Sequence, residues 1–355
     1  MDNFEEYLRQ GEPNKAEKAK VWKIAIGLQQ VDGLKPSEYL IETARQNIEG
    51  DITIEEVKQR IDSYYKQQPV INDETRTEEA DKVSARITEI LSEKTFTFSP
   101  AEYLTLHRRL FHGIYSHAGK IRDYNITNQE WVLNGETVLY ASAEGLKATL
   151  EYDFQQEKAF SYIGLNQQEI IEHIAQFISY LWQIHIFGEG NTRTTAIFLI
   201  KYLRKLGFSE VNNNMFAEHS WYFRNALVRA NYEDLSKSIH KTDKYLIRFL
   251  LNLLHHENHL LKNREMHVYY VPSANDTVKT QNDTVNDTVL RFIKQNNKIT
   301  ANEISERLNM SLSTAKRKIK ELKEKGIIER IGSDKTGYWK IIECFEMSNA
   351  SYTQP

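Results

Sequence analysis

The chain has 355 residues, with 46 basic and 49 acidic side chains that leave a formal charge of −3. This length supports two or three domains with cores of their own. Charged side chains interrupt the longest apolar stretch and the N-terminus is acidic, which argues against a membrane-spanning helix and against a secretory signal. The single cysteine, Cys344, excludes a disulfide framework within the chain. We therefore expect a cytoplasmic protein that has no membrane partner.

The charge is distributed unevenly along the chain. Residues 286–343 carry a net charge of +5, whereas the other residues together carry −8. A basic C-terminal segment attached to an acidic body indicates that the two parts bind different partners.

The N-terminal part of the chain predicts a small helical module over residues 1–70. The whole sequence is poor in glycine and proline, and apolar residues recur at helical spacing, so the fold class is mainly α. Gly33 and Gly50 mark the ends of the first two helices of the module. Its helices are predicted at 15–31, 36–50 and 54–67.

The central part of the chain predicts a helical core domain over residues 71–265. Its amphipathic helices are predicted at 77–91, 99–111, 166–184, 192–206, 220–232 and 242–263. Between them, β-prone residues flank Asn134-Gly135, a dipeptide typical of hairpin turns, and so predict a β-hairpin flap over 130–140. Two strands alone are marginally stable in water, so the flap either packs on the helices as a lid or keeps an open edge for an extended ligand.

The C-terminal part predicts a linker followed by a second domain. The tetrapeptide Asn-Asp-Thr-Val occurs three times within residues 275–289, and a polar repeat of this kind builds no core, so residues 266–285 are interpreted as a linker. Residues 286–345 then show three helices and two strands, an order that resembles the winged helix-turn-helix family. The predicted elements are helices at 289–296, 299–308 and 313–325 and strands at 327–331 and 337–342.

The third helix of this domain separates apolar from basic residues. Ala315, Ile319 and Leu322 are predicted to face inward, which places the cations outward, where they can contact DNA phosphates from the major groove. The alternative is a protein-docking module or a solvated basic face. The predicted DNA-binding residues are Ser313, Thr314, Lys316, Arg317 and Lys320.

One string, His185-Ile-Phe-Gly-Glu-Gly-Asn-Thr-Arg193, joins two of the apolar helices. Gly188 and Gly190 permit a tight loop there. The next helix begins near Asn191 and Thr192, and unpaired backbone amides and the helix dipole make a helix start favourable for an anion such as phosphate. The string therefore predicts a phosphate-binding loop.

The charged residues of this string supply chemistry that suits a bound phosphate. Arg193 can chelate phosphate oxygens with two hydrogen bonds, and Glu189 can hold Mg²⁺ together with phosphates. His185 is placed to act as a general base, and Phe187 to anchor the loop in the core. In the alternative interpretation, His185 only caps a helix and Arg193 only pairs with Glu189.

The string resembles the motif of the Fic family, His-Pro-Phe-x-(Asp/Glu)-Gly-Asn-(Gly/Lys)-Arg. The surrounding helices over about 75–265 are similar to those of the family, and Gly119–Arg122 followed by Asn125 resembles the segment that leads into its flap. This resemblance implies transfer of a nucleoside monophosphate, usually AMP from ATP, to a Ser, Thr or Tyr hydroxyl of a target protein.

The resemblance also assigns roles to individual residues. His185 would take the proton from the target hydroxyl, and Glu189 would hold Mg²⁺. Asn191 and Arg193 would bind the phosphates together with the backbone amides of the helix N-terminus. Gly188, Gly190 and Thr192 would complete the nucleotide-binding loop. The flap would bind the target main chain through Trp131, Val132, Leu133, Val138 and Leu139.

Three positions depart from the family motif. Ile186 replaces the proline and Thr192 replaces glycine or lysine, changes that leave the predicted loop in place. Ala196 stands where many members carry a second arginine that binds the terminal phosphate. Nucleotide specificity is therefore open.

The N-terminal module resembles small antitoxin-like domains that restrain Fic proteins, because a Glu49-Gly50 pair ends one of its helices. The resemblance implies that Glu49 inhibits the enzyme, although Arg45 stands where those domains have Ser or Thr. The alternative is that Glu-Gly is an ordinary helix stop.

Three functions from different classes follow from these observations. The first is a protein adenylyltransferase with an inhibitory module and a DNA-binding domain. The second is a DNA-binding transcription regulator whose degenerate Fic domain senses nucleotide, and the third is an inactive scaffold, which the motif disfavours. The oligomeric state is open, and a homo-oligomer is compatible with the sequence.

Overall fold

The computed structural model describes residues 4–67, 76–208, 214–270, 292–293, 296–307, 312–324, 328–332 and 337–341. The chain divides into two compact units, Met1–Tyr270 and Val271–Pro355. Most of the predicted linker, its repeat and Cys344 lie outside the described residues. In the described part of the chain, no helix is both long and apolar enough to cross a membrane.

The first unit is mainly helical in its described residues. Short 3-10 turns connect several helices, including Leu28–Asp32 and Trp131–Leu133. The α-helices are α1 Glu5–Gln10, α2 Pro13–Gly27, α3 Glu38–Glu49, α4 Ile54–Gln67, α5 Thr77–Ser92, α6 Pro100–Phe111, α7 Leu146–Ala159, α8 Gln167–Ile184, α9 Asn191–Lys205, α10 Asn214–Asn231 and α11 Lys244–His255.

Helix α2 connects two hydrophobic cores. Ala19 and Trp22 pack in a small core with residues of α3 and α4. Ile24 and Leu28 belong instead to the large core, which contains the buried faces of α6, α8 and α9. Packing is therefore continuous between the described parts of the predicted module and of the predicted core domain, and the domain boundaries stay predictions.

The predicted β-hairpin over residues 130–140 is wrong. The turn residues Asn134 and Gly135 do adopt positive φ angles of 58° and 86°, but the residues before them form a 3-10 turn and no strand. The amide of Gly135 donates to the Glu130 carbonyl at 3.0 Å, and the Val132 carbonyl accepts from the distant amide of Val268 at 2.8 Å. Burial of Val132 and Leu133 in the large core pulls this segment onto the helices, which disrupts a regular ladder.

The second unit has the predicted helix and strand order in its described residues. It contains α12 Ala301–Arg307, α13 Leu312–Glu324 and the antiparallel strands β1 Ile328–Ile331 and β2 Tyr338–Ile341. In their register, Ile328 lies opposite Ile341. The core consists of Ile293, Ile299, Ile304, Ala315, Ile319, Leu322 and Ile328.

Candidate functional site

The site is built where α8 ends and α9 begins. Helix α8 starts with a capping box, in which Asn166 Oδ1 accepts from the Glu169 amide at 3.0 Å and the Glu169 carboxylate accepts from the Asn166 amide at 2.8 Å. It ends at His185, whose φ of 49° turns the chain out of the helix, and Gly190, with φ of 75°, precedes α9. The end of α8 and the start of α9 therefore fix the position of the loop between them.

The His185 ring is buried and neutral. Its Nδ1 lies 3.3 Å from the Trp182 carbonyl, which can only accept, so the hydrogen bonds assign the proton to Nδ1 and leave the lone pair on Nε2. The Asn128 amide nitrogen lies 3.4 Å from Nε2, and the Tyr140 ring packs 4.1 Å from the imidazole centre. Burial lowers the pKa of His185 to about 3. An unprotonated Nε2 at neutral pH is the state that a general base requires.

Arg122 holds the main chain around His185. Its guanidinium donates to the carbonyls of His185 at 2.7 Å and Ala141 at 2.6 Å, and its backbone amide donates to the Ile186 carbonyl at 3.0 Å. This cation thus joins the histidine loop to the segment that was predicted as a flap. The sequence marked Gly119–Arg122 only as a family segment and assigned no role to this arginine.

His107, to which no role was assigned from the sequence, supports the loop between α8 and α9. Its Nδ1 accepts from the Gly119 amide at 2.8 Å, so Nε2 carries the proton that it donates to the Glu189 carbonyl at 3.0 Å. The ring stacks on Phe187 at 3.7 Å between centres. Phe187 is fully buried, which confirms its predicted role as an anchor.

The side chains of Asn191 and Thr192 bond to neighbouring residues of the protein, and their predicted role in phosphate binding stays a prediction. The Asn191 amide group bonds both the amide and the carbonyl of Phe187, at 3.0 and 2.9 Å. Thr192 Oγ1 accepts from the Trp182 indole at 3.0 Å. Both side chains are buried and close the loop, so the groups left for an anion are the backbone amides of the first turn of α9.

Arg193 is also held by other residues of the protein. Its guanidinium is 0% exposed and lies 2.7 Å from carboxylate oxygens of both Asp32 and Glu79. It donates to Gln29 Oε1 at 3.0 Å and lies 4.7 Å from the centre of the Phe111 ring. The acidic partners of Arg193 are therefore Asp32 and Glu79 and not Glu189, and its predicted phosphate contact stays a prediction.

Glu189 projects from the loop toward solvent, with its side chain 44% exposed and 3.4 Å from Arg76. Within the described residues, no group of three or more His, Cys, Asp or Glu side chains could hold a metal ion. A single carboxylate suits Mg²⁺ only when phosphate oxygens complete its ligands. Glu189 fits that arrangement.

Gly188, the glycine before Glu189, lies close to two polar side chains. A side chain at Gly188 would place its Cβ 2.5 Å from the Tyr124 hydroxyl and 3.2 Å from His117 Nε2. Any larger residue there would therefore require the end of the Tyr124 side chain to shift.

Among the described residues, Glu49 makes no contact with the loop between α8 and α9, and its inhibitory role stays a prediction. It ends α3, and its carboxylate pairs with Lys15 at 2.7 Å. The acids that contact Arg193 are instead Asp32 and Glu79. Gly50, with φ of 92°, ends the helix as an ordinary glycine stop does.

Only part of the predicted docking segment is accessible. Val132, Leu133 and Val138 are buried in the large core, so a target protein cannot contact them. Trp131 and Leu139 are exposed, Leu139 to 83%.

In the second unit, α13 separates its faces as predicted. Ala315, Ile319 and Leu322 are buried. The side chains of Ser313 and Thr314, and the wing tip at 333–336, lie outside the described residues. The predicted DNA-binding cations that are described are all exposed, namely Lys316, Arg317 and Lys320.

Comparison with known proteins assigns both units. Residues 97–203 match the sequence model of the Fic/DOC family, and residues 288–329 match that of winged helix-turn-helix DNA-binding domains. No curated protein matches the chain significantly.

Two solved structures are similar to the chain at low identity. One is the N-terminal Fic domain of a Bartonella effector protein from Bartonella sp. AR 15-3, at 17% identity and a TM-score of 0.33, which covers 56% of this chain and 79% of its own. The other is a Fic family protein from Desulfovibrio desulfuricans G20, at 14% identity and a TM-score of 0.41, with 97% and 95% covered. The assignment does not depend on them, since the two sequence models carry it. The chain therefore contains a region that matches the Fic/DOC family, followed by a region that matches winged helix-turn-helix DNA-binding domains.

Proposed function

We propose that the first unit is a protein adenylyltransferase, which transfers AMP from ATP to a Ser, Thr or Tyr hydroxyl of a target protein. The observation that carries this proposal is the neutral His185 ring with its lone pair on Nε2. This nitrogen lies at the end of α8, beside the helix start where a phosphate would bind.

In the proposed reaction, the target hydroxyl replaces the Asn128 amide as the partner of His185 Nε2. The nitrogen accepts the hydroxyl proton while the oxygen attacks the α-phosphorus of ATP. The bond between the α-phosphorus and the bridging oxygen breaks, pyrophosphate leaves, and a phosphodiester joins AMP to the target. Most of the rate enhancement in such a transfer comes from positioning and from charge stabilisation.

The phosphates would be held by the backbone amides of the first turn of α9 and by Arg76. Arg76 lies 3.4 Å from Glu189 and is partly exposed, so within the described residues it is a cation that can reach the phosphate side of the loop. Glu189 would hold Mg²⁺, which when bound neutralises phosphate charge. Arg76 thereby supplies the positive charge that Ala196 lacks.

Covalent labelling tests the proposal. Incubation with ATP labelled at the α-phosphate and Mg²⁺ or Mn²⁺ should label either the protein itself or a target in a lysate. His185→Ala should abolish the label, whereas His240→Ala, which alters a histidine whose side chain is 72% exposed, should retain it. Label that survives in His185→Ala would contradict the proposed base.

A second candidate function is a DNA-binding regulator whose Fic domain binds nucleotide without transferring it. The observation that favours it is Arg193, which Asp32 and Glu79 hold away from the loop. Under this alternative, ATP would raise the melting temperature and change DNA binding, and no histidine-dependent label would appear with ATP or UTP.

DNA binding by the second unit belongs to both candidates. Lys316 and Lys320 are exposed on one side of α13, where they can contact phosphates. Replacing either by alanine should weaken binding to all DNA sequences and reduce the slope of log affinity against log salt by about 1. Lys147→Ala, at an exposed site of the first unit, is the control and should leave the slope unchanged.

A further inference from the structure

A cavity of about 330 Å³ opens beside the histidine loop, between α7, α8 and the extended segment that follows Gly135. It is open to solvent and separate from the phosphate side of the loop. The lining residues that matter below are Leu139, Tyr140, Asp153, Tyr180 and Gln183.

This cavity is contiguous with the proposed base. Tyr140 lines it and also packs its ring 4.1 Å from the His185 imidazole. Gln183 Nε2 donates to the Leu139 carbonyl at 3.0 Å and ties the rim to the last turn of α8. A polypeptide that presents a hydroxyl to His185 would therefore place a neighbouring side chain over the cavity.

Asp153 gives the cavity its charge. It lies on α7 and forms no hydrogen bond or ion pair with any residue that the structure describes. Burial alone raises its pKa to about 6, with no cation contributing. The carboxylate is thus ionised at neutral pH, partly removed from water and without a counter-ion, an arrangement that costs free energy until a cation arrives.

The rim of the cavity is apolar. Leu139 is 83% exposed and Tyr180 is 42% exposed, although both are large side chains that normally gain from burial. An apolar rim above a single carboxylate matches a side chain with a long aliphatic stem and a cationic end. Lysine and arginine are the protein side chains of that kind.

We propose that this cavity binds a lysine or arginine side chain of the target protein, close in sequence to the hydroxyl that is modified, and that Asp153 selects it. The inference rests on the proposed adenylyl transfer, because it names the sequence context of the substrate. Basic residues near the acceptor hydroxyl then distinguish targets from other proteins with exposed hydroxyls.

An arrayed peptide library tests the proposal by binding and by labelling in parallel. Each peptide carries one Ser, Thr or Tyr, and each flanking position is scanned with Lys, Arg, norleucine or Glu. Binding is read with fluorescent full-length His185→Ala protein, which needs no chemistry, and labelling is read with wild-type protein and labelled ATP. The variants are Asp153→Asn and Asp153→Lys, and the matched control is Glu151→Gln, an exposed acid on the same helix.

We expect peptides with Lys or Arg at one flanking position to bind about three- to tenfold more tightly than their norleucine counterparts. This ratio lies between the affinity gain from an exposed ion pair and that from a buried one. Asp153→Asn should remove this preference, Asp153→Lys should shift it to Glu, and Glu151→Gln should retain it. Circular dichroism verifies that each variant is folded.

Two results would overturn the proposal: equal binding of cationic and norleucine peptides, or a cation preference that Asp153→Asn leaves intact. A binding preference that follows Asp153 in the absence of any labelled peptide would support the cavity and contradict adenylyl transfer. Labelled peptides without cation preference would support the transfer and contradict the cavity.

Discussion

At the scale of single residues, Arg193 is a charged group whose side chain is fully buried. Its guanidinium is fully buried between the carboxylates of Asp32 and Glu79, with the Phe111 ring against it. Removing one partner of a buried ion pair leaves the other charges uncompensated, which costs far more than an exposed pair contributes.

Replacing this arginine by methionine should therefore lower the free energy of unfolding by about 3–5 kcal/mol. Chemical denaturation of the two proteins measures the difference. Lys147→Ala is the control, because its pairing with Glu151 at 3.9 Å is exposed, and it should cost less than about 1 kcal/mol. Equal losses for both variants would show that the buried network contributes little.

Protonation of His185 should make the stability depend on pH. The folded state lowers the pKa of this residue to about 3 from its ordinary value of 6.5, so the unfolded chain binds the proton first as the pH falls. Its contribution to stability is complete above about pH 6.5 and is lost as the pH decreases toward 3. Denaturation of wild-type and His185→Gln protein between pH 7.5 and 4 should give a shallower decline for the variant, by up to about 1.4 kcal/mol per pH unit. Parallel curves would contradict the lowered pKa.

At the scale of elements, the loop between α8 and α9 depends on Gly190. Its φ is 75°, and a Cβ there would lie 2.5 Å from the Phe111 ring. Gly190→Ala should lower the free energy of unfolding by about 2–5 kcal/mol, through backbone strain and overpacking. Gly164→Ala, at φ of 85° with nothing within 4 Å, isolates the strain and should cost about 1–2 kcal/mol.

The double variant Gly190→Ala/Phe111→Leu separates the two causes further. A smaller side chain at position 111 gives the new methyl group room. The double variant should therefore lose less free energy of unfolding than the two single variants lose together. Simple additivity would mean that the ring does not restrict the loop.

In most of the described chain, the periodicity of apolar residues predicted where the helices lie. The exceptions have identifiable causes. The prediction for α11 was too long, because Asn252 bonds both the amide and the carbonyl of His259 and folds the chain back after His255. Helix α7 was not predicted at all. The apolar positions that it buries, Leu146, Leu150 and Phe154, are few for its length, so its periodicity is weak.

At the scale of the whole molecule, the N-terminal helices belong to the same folded unit as the Fic domain. Helix α2 contributes to the large core, and Asp32 and Gln29 contact Arg193 from the turn that follows it. We predict that residues 71–270 alone do not fold cooperatively, since they would expose that core and leave Arg193 without two of its partners.

Thermal unfolding of fragments 1–270 and 71–270, followed by circular dichroism, checks this prediction. The longer fragment should show one cooperative transition, and the shorter one should show none or aggregate. A transition of 71–270 within a few degrees of that of 1–270 would mean that the N-terminal helices are a separable module.

The sequence by itself determined the helical class, the His185–Arg193 string, the Phe187 anchor and the helix and strand order of the winged helix. These are local properties, since periodicity, turn residues and motif spacing extend over a few turns of chain. Only the tertiary structure decided which charges meet. Glu79 reaches Arg193 across 114 residues of sequence, and Asp32 reaches it from another helix terminus. A buried charge takes the partners that long-range packing brings within about 3 Å, because burial without them is too costly, and no local pattern encodes that choice.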